Sequence, residues 1–127
     1  MNRFYKKNFL YISTYHFIRK KNDKFYTNIN YLDFDKFKRQ INNFEKIFNI
    51  IGFDDALDVL NSKKKYNKPF VMLTFDDGYM DHYDYVLPLL VKKKIKGLFY
   101  PFANSLKKGF ITDTNKIHFI LAKNKKI

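Results

Sequence analysis

Residues 70–79 read Phe70-Val71-Met72-Leu73-Thr74-Phe75-Asp76-Asp77-Gly78-Tyr79. The stretch Phe70 to Phe75 has no polar alternation. Such a run predicts a parallel strand covered on both faces. Pro69 opens it, and the polar cluster Asp76-Asp77-Gly78 follows at its C-terminal end. In parallel α/β scaffolds that end of a strand is where active sites form. Two carboxylates directly after a buried strand are costly unless they are paired, hydrogen-bonded or metal-bound. Adjacent positions point different ways, so one carboxylate could hold a metal while the other acts on its bound water. Gly78 permits a tight turn and a close approach of backbone to ligand. An Asp-Asp-Gly turn that caps the next helix is the alternative, since Asp and Gly are ordinary turn residues.

The flanking text alternates strand and helix. Phe9 to His16 is rich in aromatic and β-prone residues and reads as a first buried strand. Lys20 to Asn30 is polar and loop-like. Asp33 is placed as an N-cap, and Phe34, Phe37, Ile41, Phe44 and Phe48 step by three and four along one helix face. Gly52 is placed to stop that helix. Asp54 to Leu60 predicts a second short helix, and Ser62 to Lys68 a lysine-rich loop. Beyond the acidic cluster, Asp81 to Lys94 predicts a helix with Val86, Leu87, Leu89, Leu90 and Val91 on its buried side. Pro88 predicts a kink in it. Gly97 to Phe102 reads as a further strand, ended near Pro101. The tail from Phe110 holds one apolar helix-like piece. This order predicts an α/β fold with parallel strands and covering helices.

The chain has 127 residues, which suits one domain over 1–127. It has no cysteine, which excludes a disulfide scaffold, a thiolate zinc site and a cysteine nucleophile. The net charge of +13 suggests nucleic acid, anionic lipid or an acidic polymer as partner. Of the 25 basic residues, however, only Arg3, Arg19 and Arg39 are arginine, so 22 are lysine. Lys, Asn, Ile, Phe and Tyr, all heavily used, share A/T-rich codons. Base composition therefore explains much of the lysine, and a nucleic-acid binder would use more arginine. Accordingly, no nucleic acid is expected as partner. No run approaches the roughly 20 apolar residues of a membrane span, and no signal-peptide pattern is present, so the expected location is cytoplasmic.

The segment Thr74-Phe75-Asp76-Asp77-Gly78-Tyr79 resembles the first signature motif of the polysaccharide deacetylases, the NodB-homology domain or carbohydrate esterase family 4. Three flanking stretches resemble the same family: Tyr15-His16-Phe17-Ile18, Tyr85-Val86-Leu87-Pro88-Leu89-Leu90 and Lys96-Gly97-Leu98-Phe99-Tyr100-Pro101. The resemblance spans about residues 9 to 105. It implies a deformed (β/α) barrel and metal-dependent hydrolysis of an N-acetyl, less often O-acetyl, group on a sugar. It matches Asp76 to the catalytic base and Asp77 to a metal ligand, with zinc the implied divalent ion.

The chain departs from that pattern. The family completes its metal site with a His-x-x-x-His motif, whereas the three histidines here are His16, His82 and His118, no two of them four apart. The expectation is therefore the N-terminal portion of a NodB-type barrel, its second half absent and its site incomplete. It would be an inactive or split product needing a complementing C-terminal chain, or else a basic binding module. His16, at the end of the first strand, is expected to share the rim with Asp76 and Asp77. His82 is expected on the exposed start of a helix, and His118 reads as a packed or surface residue.

Overall fold

The computed structural model describes residues 5–6, 8–20, 28–62, 66–107 and 109–124. The lysine run 63–65 and the greater part of the 20–30 loop lie outside the described residues. The apolar run became the central strand, β5 (Phe70–Asp76), buried along its length except at Asp76. It pairs in parallel with β1 (Leu10–Tyr15) on one edge, in the register Leu10↔Phe70 to Tyr15↔Phe75. Two three-residue strands also pair with it in parallel. β4 (Asn49–Ile51) takes its N-terminal half and β6 (Leu98–Tyr100) its C-terminal half. A second small sheet joins β2 (Ile18–Arg19) to β3 (Leu32–Asp33).

Side chains alternate across a strand, and the register fixes which face each residue meets. Tyr15, Val71, Leu73 and Phe75 fall on one face and pack with Phe37 and Ile41 of α1 (Phe34–Ile47) and with Val86 and Leu90. The Tyr15 ring meets Phe37 at 5.1 Å and stacks on Phe75 at 5.3 Å. The other face carries Ile12, Thr14, Met72, Thr74 and Asp76. It is thinly covered at β1, where Ile12 is 60% exposed. The first strand is therefore half-covered rather than buried: Tyr15 packs on Phe37 of α1, while Ile12 and Thr14 on the other face are exposed.

Asp33 caps α1 as expected, its Oδ1 accepting from the backbone N–H of Asp35 and of Lys36 at 3.1 Å each. Gly52, by contrast, does not end this helix. Phe48 already turns to extended backbone, and Asn49-Ile50-Ile51 forms the unexpected β4. β-Branched isoleucines suit a strand edge better than a helix end. Gly52 instead precedes α2 (Phe53–Asn61), where its N–H donates to Asp55.

After β5 a helix runs through residues 80–93, with a π-turn at His82–Val86 leading into α3 (Leu87–Lys93). The N–H of Leu87 donates to the carbonyl of His82, five residues back. Pro88, which has no N–H to donate, comes directly after this π-turn inside the continuous helix. The proline is thus accommodated by a change of helical register. Val86 and Leu90 are buried, but Leu87 and Val91 are 39% and 67% exposed, correcting the expected apolar face. Gly97 then brings the chain close to the core: a Cβ there would stand 2.8 Å from Leu90 and 2.9 Å from Phe75.

The last element is α4 (Asp113–Asn124). Ala122 is its buried residue, packed with Phe17 and Ile29. Ile117, Ile120 and Leu121 stay exposed, as do Phe99 and Tyr100 on β6. Among the described residues no strand pairs with the outer edges of β1, β4 or β6. An open parallel sheet with bare aromatics favours association, while the +13 charge opposes it until salt screens it. Light scattering should therefore show larger species as ionic strength rises from about 0.01 M, where the screening length is near 30 Å, toward about 1 M, where it is near 3 Å. A monodisperse monomer throughout would show that these faces do not associate.

Candidate active site

Asp76 is the last residue of β5, half-buried, and paired in register with Tyr100 of β6. The chain then reverses through Asp77 (φ 70°) and Gly78 (φ 66°), both left-handed. Glycine adopts that conformation freely and Asp tolerates it better than most residues. A non-glycine held there stores about 1 kcal/mol or more of backbone strain, a feature concentrated at ligand-binding turns. The Asp76 carboxylate lies beside His16, and that of Asp77 lies near Tyr79.

His16 follows β1 and stands beside Asp76, its Nε2 3.8 Å from the Asp76 carboxylate. The structure thus brings together Asp76, Asp77 and His16 on the rim. Asp77 and His16 line a cleft of about 1030 Å³ running between the end of β1 and α4. Its walls include Phe17, Tyr79, Phe102 and Phe110, and His118 of α4 lies on its far side. The Phe17 and Tyr79 rings stack at 4.1 Å. The Tyr79 hydroxyl donates to Asn115 of α4 at 2.9 Å. Burial, with the nearby Asp77 carboxylate, pushes Tyr79 far above the usual phenol range, so it remains a donor.

Two interactions were not foreseen from sequence. Arg19 and Asp81 form a buried ion pair at 2.5 Å, with the guanidinium also over the Phe17 ring at 4.5 Å. His82, expected to be exposed, is 3% exposed, and its Nε2 lies 2.6 Å from the carbonyl of His16. The spacing His82, Val86, Leu90 carried that information: steps of four place all three on one helical face.

Burial lowers the pKa of His82 below the ordinary histidine value. The unfolded chain takes up this proton near pH 6.5 while the folded chain does not. The unfolded state then binds more protons, so stability falls as pH drops below that value, by up to about 1.4 kcal/mol per unit until the folded pKa is reached. Urea unfolding across this range should give a shallower pH dependence for His82→Gln than for the parent. Identical slopes would show that His82 does not supply the effect.

The divalent ion implied by the resemblance finds too few donors. Asp77 is the one matched ligand, and among the described residues no group of three His, Asp or Glu side chains is placed to share a metal ion. A catalytic zinc ion needs about three protein ligands and a water.

The parallel sheet, with an acidic pair on the turn after its central strand, is similar in fold to solved deacetylases. The polysaccharide deacetylase family model matches residues 63–118. Solved structures agree on the fold. The Streptococcus pyogenes deacetylase PplD, in complex with acetate, superposes with a TM-score of 0.66 at 22% identity, over 90% of this chain and 51% of that one. IcaB from Ammonifex degensii gives 0.64 at 22% identity, over 80% and 41%. A de-N-acetylase from Aggregatibacter actinomycetemcomitans gives 0.59 at 23%, over 72% and 37%. The chain thus spans about half or less of the length of these solved relatives. No curated protein sequence matches it. Among the described residues no helix is long and apolar enough to cross a membrane.

Proposed function

We propose that this chain forms the base-bearing part of a carbohydrate N-deacetylase site, acting on an uncharged acetylated sugar. The supporting observation is the Asp76–His16 pair at the mouth of an aromatic cleft whose described lining residues carry no Lys or Arg. About one residue in five of the chain is Lys or Arg, yet none of the described residues lining the cleft is. Asp113 lines it too, paired with Lys116 at 2.8 Å. Such a lining gives a phosphate or a uronic acid no Lys or Arg among the described residues. Aromatic faces with a few amide and hydroxyl groups, here Asn30, Gln40 and Thr112, suit a neutral ligand.

In this reading Asp76 removes a proton from water as it attacks the acetamide carbonyl. The C–N bond then breaks, releasing acetate and the sugar amine, and that amine must take up a proton as it leaves. His16 stands close enough to steady the Asp76 carboxylate. When bound, a divalent ion would polarise the carbonyl and lower the pKa of water. Asp77 would be one of its donors, and the others would come from polypeptide outside the described residues, supplied by a complementing segment or chain.

The test is binding. Amide resonances of residues 13–17 and 77–79 should shift on titration with N-acetylglucosamine oligomers, with little dependence on salt. The high positive charge supports a second reading, a module for anionic polymers. Heparin or DNA should therefore bind weakly, away from the cleft, and lose affinity steeply with salt. Anionic polymer shifting the cleft residues while the sugar does not would reverse the choice.

A further inference from the structure

Residues 16–19 are held by the short β2–β3 pairing, by the Leu32 N–H bond to the Phe17 carbonyl, and by the start of the helix that follows the acidic turn. From that helix two adjacent side chains reach them. Asp81 pairs with Arg19 at 2.5 Å, and His82 Nε2 lies 2.6 Å from the carbonyl of His16. A carbonyl only accepts, so Nε2 carries the hydrogen and donates it. His82 Nδ1 is buried with no hydrogen-bond partner among the described residues. The ring is packed between Phe75, Tyr79 and Phe99, at centroid distances of 5.5, 5.8 and 6.2 Å. A leucine would suit that apolar slot without leaving a nitrogen unsatisfied. What it could not do is grip the backbone of the residue whose ring stands 3.8 Å from Asp76.

We propose that His82 is a positioning residue for the Asp76–His16 pair, acting through the His16 carbonyl to fix where the His16 ring stands. The importance of the pair rests on reading Asp76 as the base, but its geometry can be measured without turnover. In the parent chain labelled at histidine, Asp76→Asn should shift the His16 ring resonances. In a His82→Leu background that response should be lost. In His82→Gln, whose side-chain amide can donate to the same carbonyl, it should be kept. Where His82→Leu does not fold, His82→Asn takes its place. Its amide is one carbon short of the carbonyl, so the response should again be lost.

An unchanged response in a folded Leu or Asn variant would overturn the proposal. So would its loss in Gln as complete as in Leu, or its absence in the parent. Failure of sugar to bind the cleft, with the His82 pattern as expected, would count against the proposed reaction and leave the positioning role standing.

Discussion

The 127-residue chain, purified alone and supplied with zinc, cobalt or nickel, will release no acetate from N-acetylglucosamine oligomers above the buffer rate. The expectation follows from the donor set. Asp77 offers one carboxylate, and the described residues add no cluster able to share an ion with it. Without a polarised carbonyl and an acidified water, the transition state loses its main electrostatic support. Removing even one oxyanion donor from an enzyme costs about 10²–10³ in rate. Calorimetry should likewise show metal binding weaker than micromolar. Acetate release that disappears in Asp76→Asn, or tight metal binding that disappears in Asp77→Ala, would reveal donors missed here, with His16 the first to examine. Activity restored by a second polypeptide carrying His-x-x-x-His would support the complementing-chain reading.

Asp81→Ala should be the most damaging single change to stability outside the hydrophobic core. Arg19 is buried, and Asp81 is largely covered beside it. Removing Asp81 takes this counter-ion from the buried guanidinium, and breaking such a pair costs about 3–5 kcal/mol. Domains are stable by about 5–15 kcal/mol in all, so the variant should be largely unfolded in mild denaturant. The double variant Arg19→Met with Asp81→Leu should recover most of the loss, since an apolar replacement removes both charges together. Urea unfolding of the single and double variants completes the cycle. A loss under about 1 kcal/mol would place the pair with ordinary surface ion pairs.

A continuous apolar run made the central strand legible, and helical spacing the first helix with its Asp33 cap, because each depends on neighbours in sequence. The acidic turn was legible for a similar reason: Asp76, Asp77 and Gly78 are contiguous, and their place after an apolar run fixes their place on the sheet. β4 was hidden because three residues are too short for any period to show. The Arg19–Asp81 pair and the His82 contact join positions more than 60 residues apart, and local pattern does not report such contacts. Pro88 pointed to a disturbed helix but not to its form, since a π-turn needs a carbonyl five residues back whose availability is set by packing. The expected outward position of His82 failed because residue type outweighed spacing: a histidine near a helix start suggests solvent, while its alignment with Val86 and Leu90 points inward.

Along β5 the odd positions, Val71, Leu73 and Phe75, face the helices, while the even ones become polar toward Thr74 and Asp76. Two messages are thereby interleaved on one strand, one for holding the fold and one for chemistry. Point substitutions can edit either message while leaving the other readable. An inserted or deleted codon within the strand exchanges them wholesale, turning Asp76 into the core and a core side chain into the cleft. Lineages carrying this strand should therefore hold its length fixed even where single side chains change.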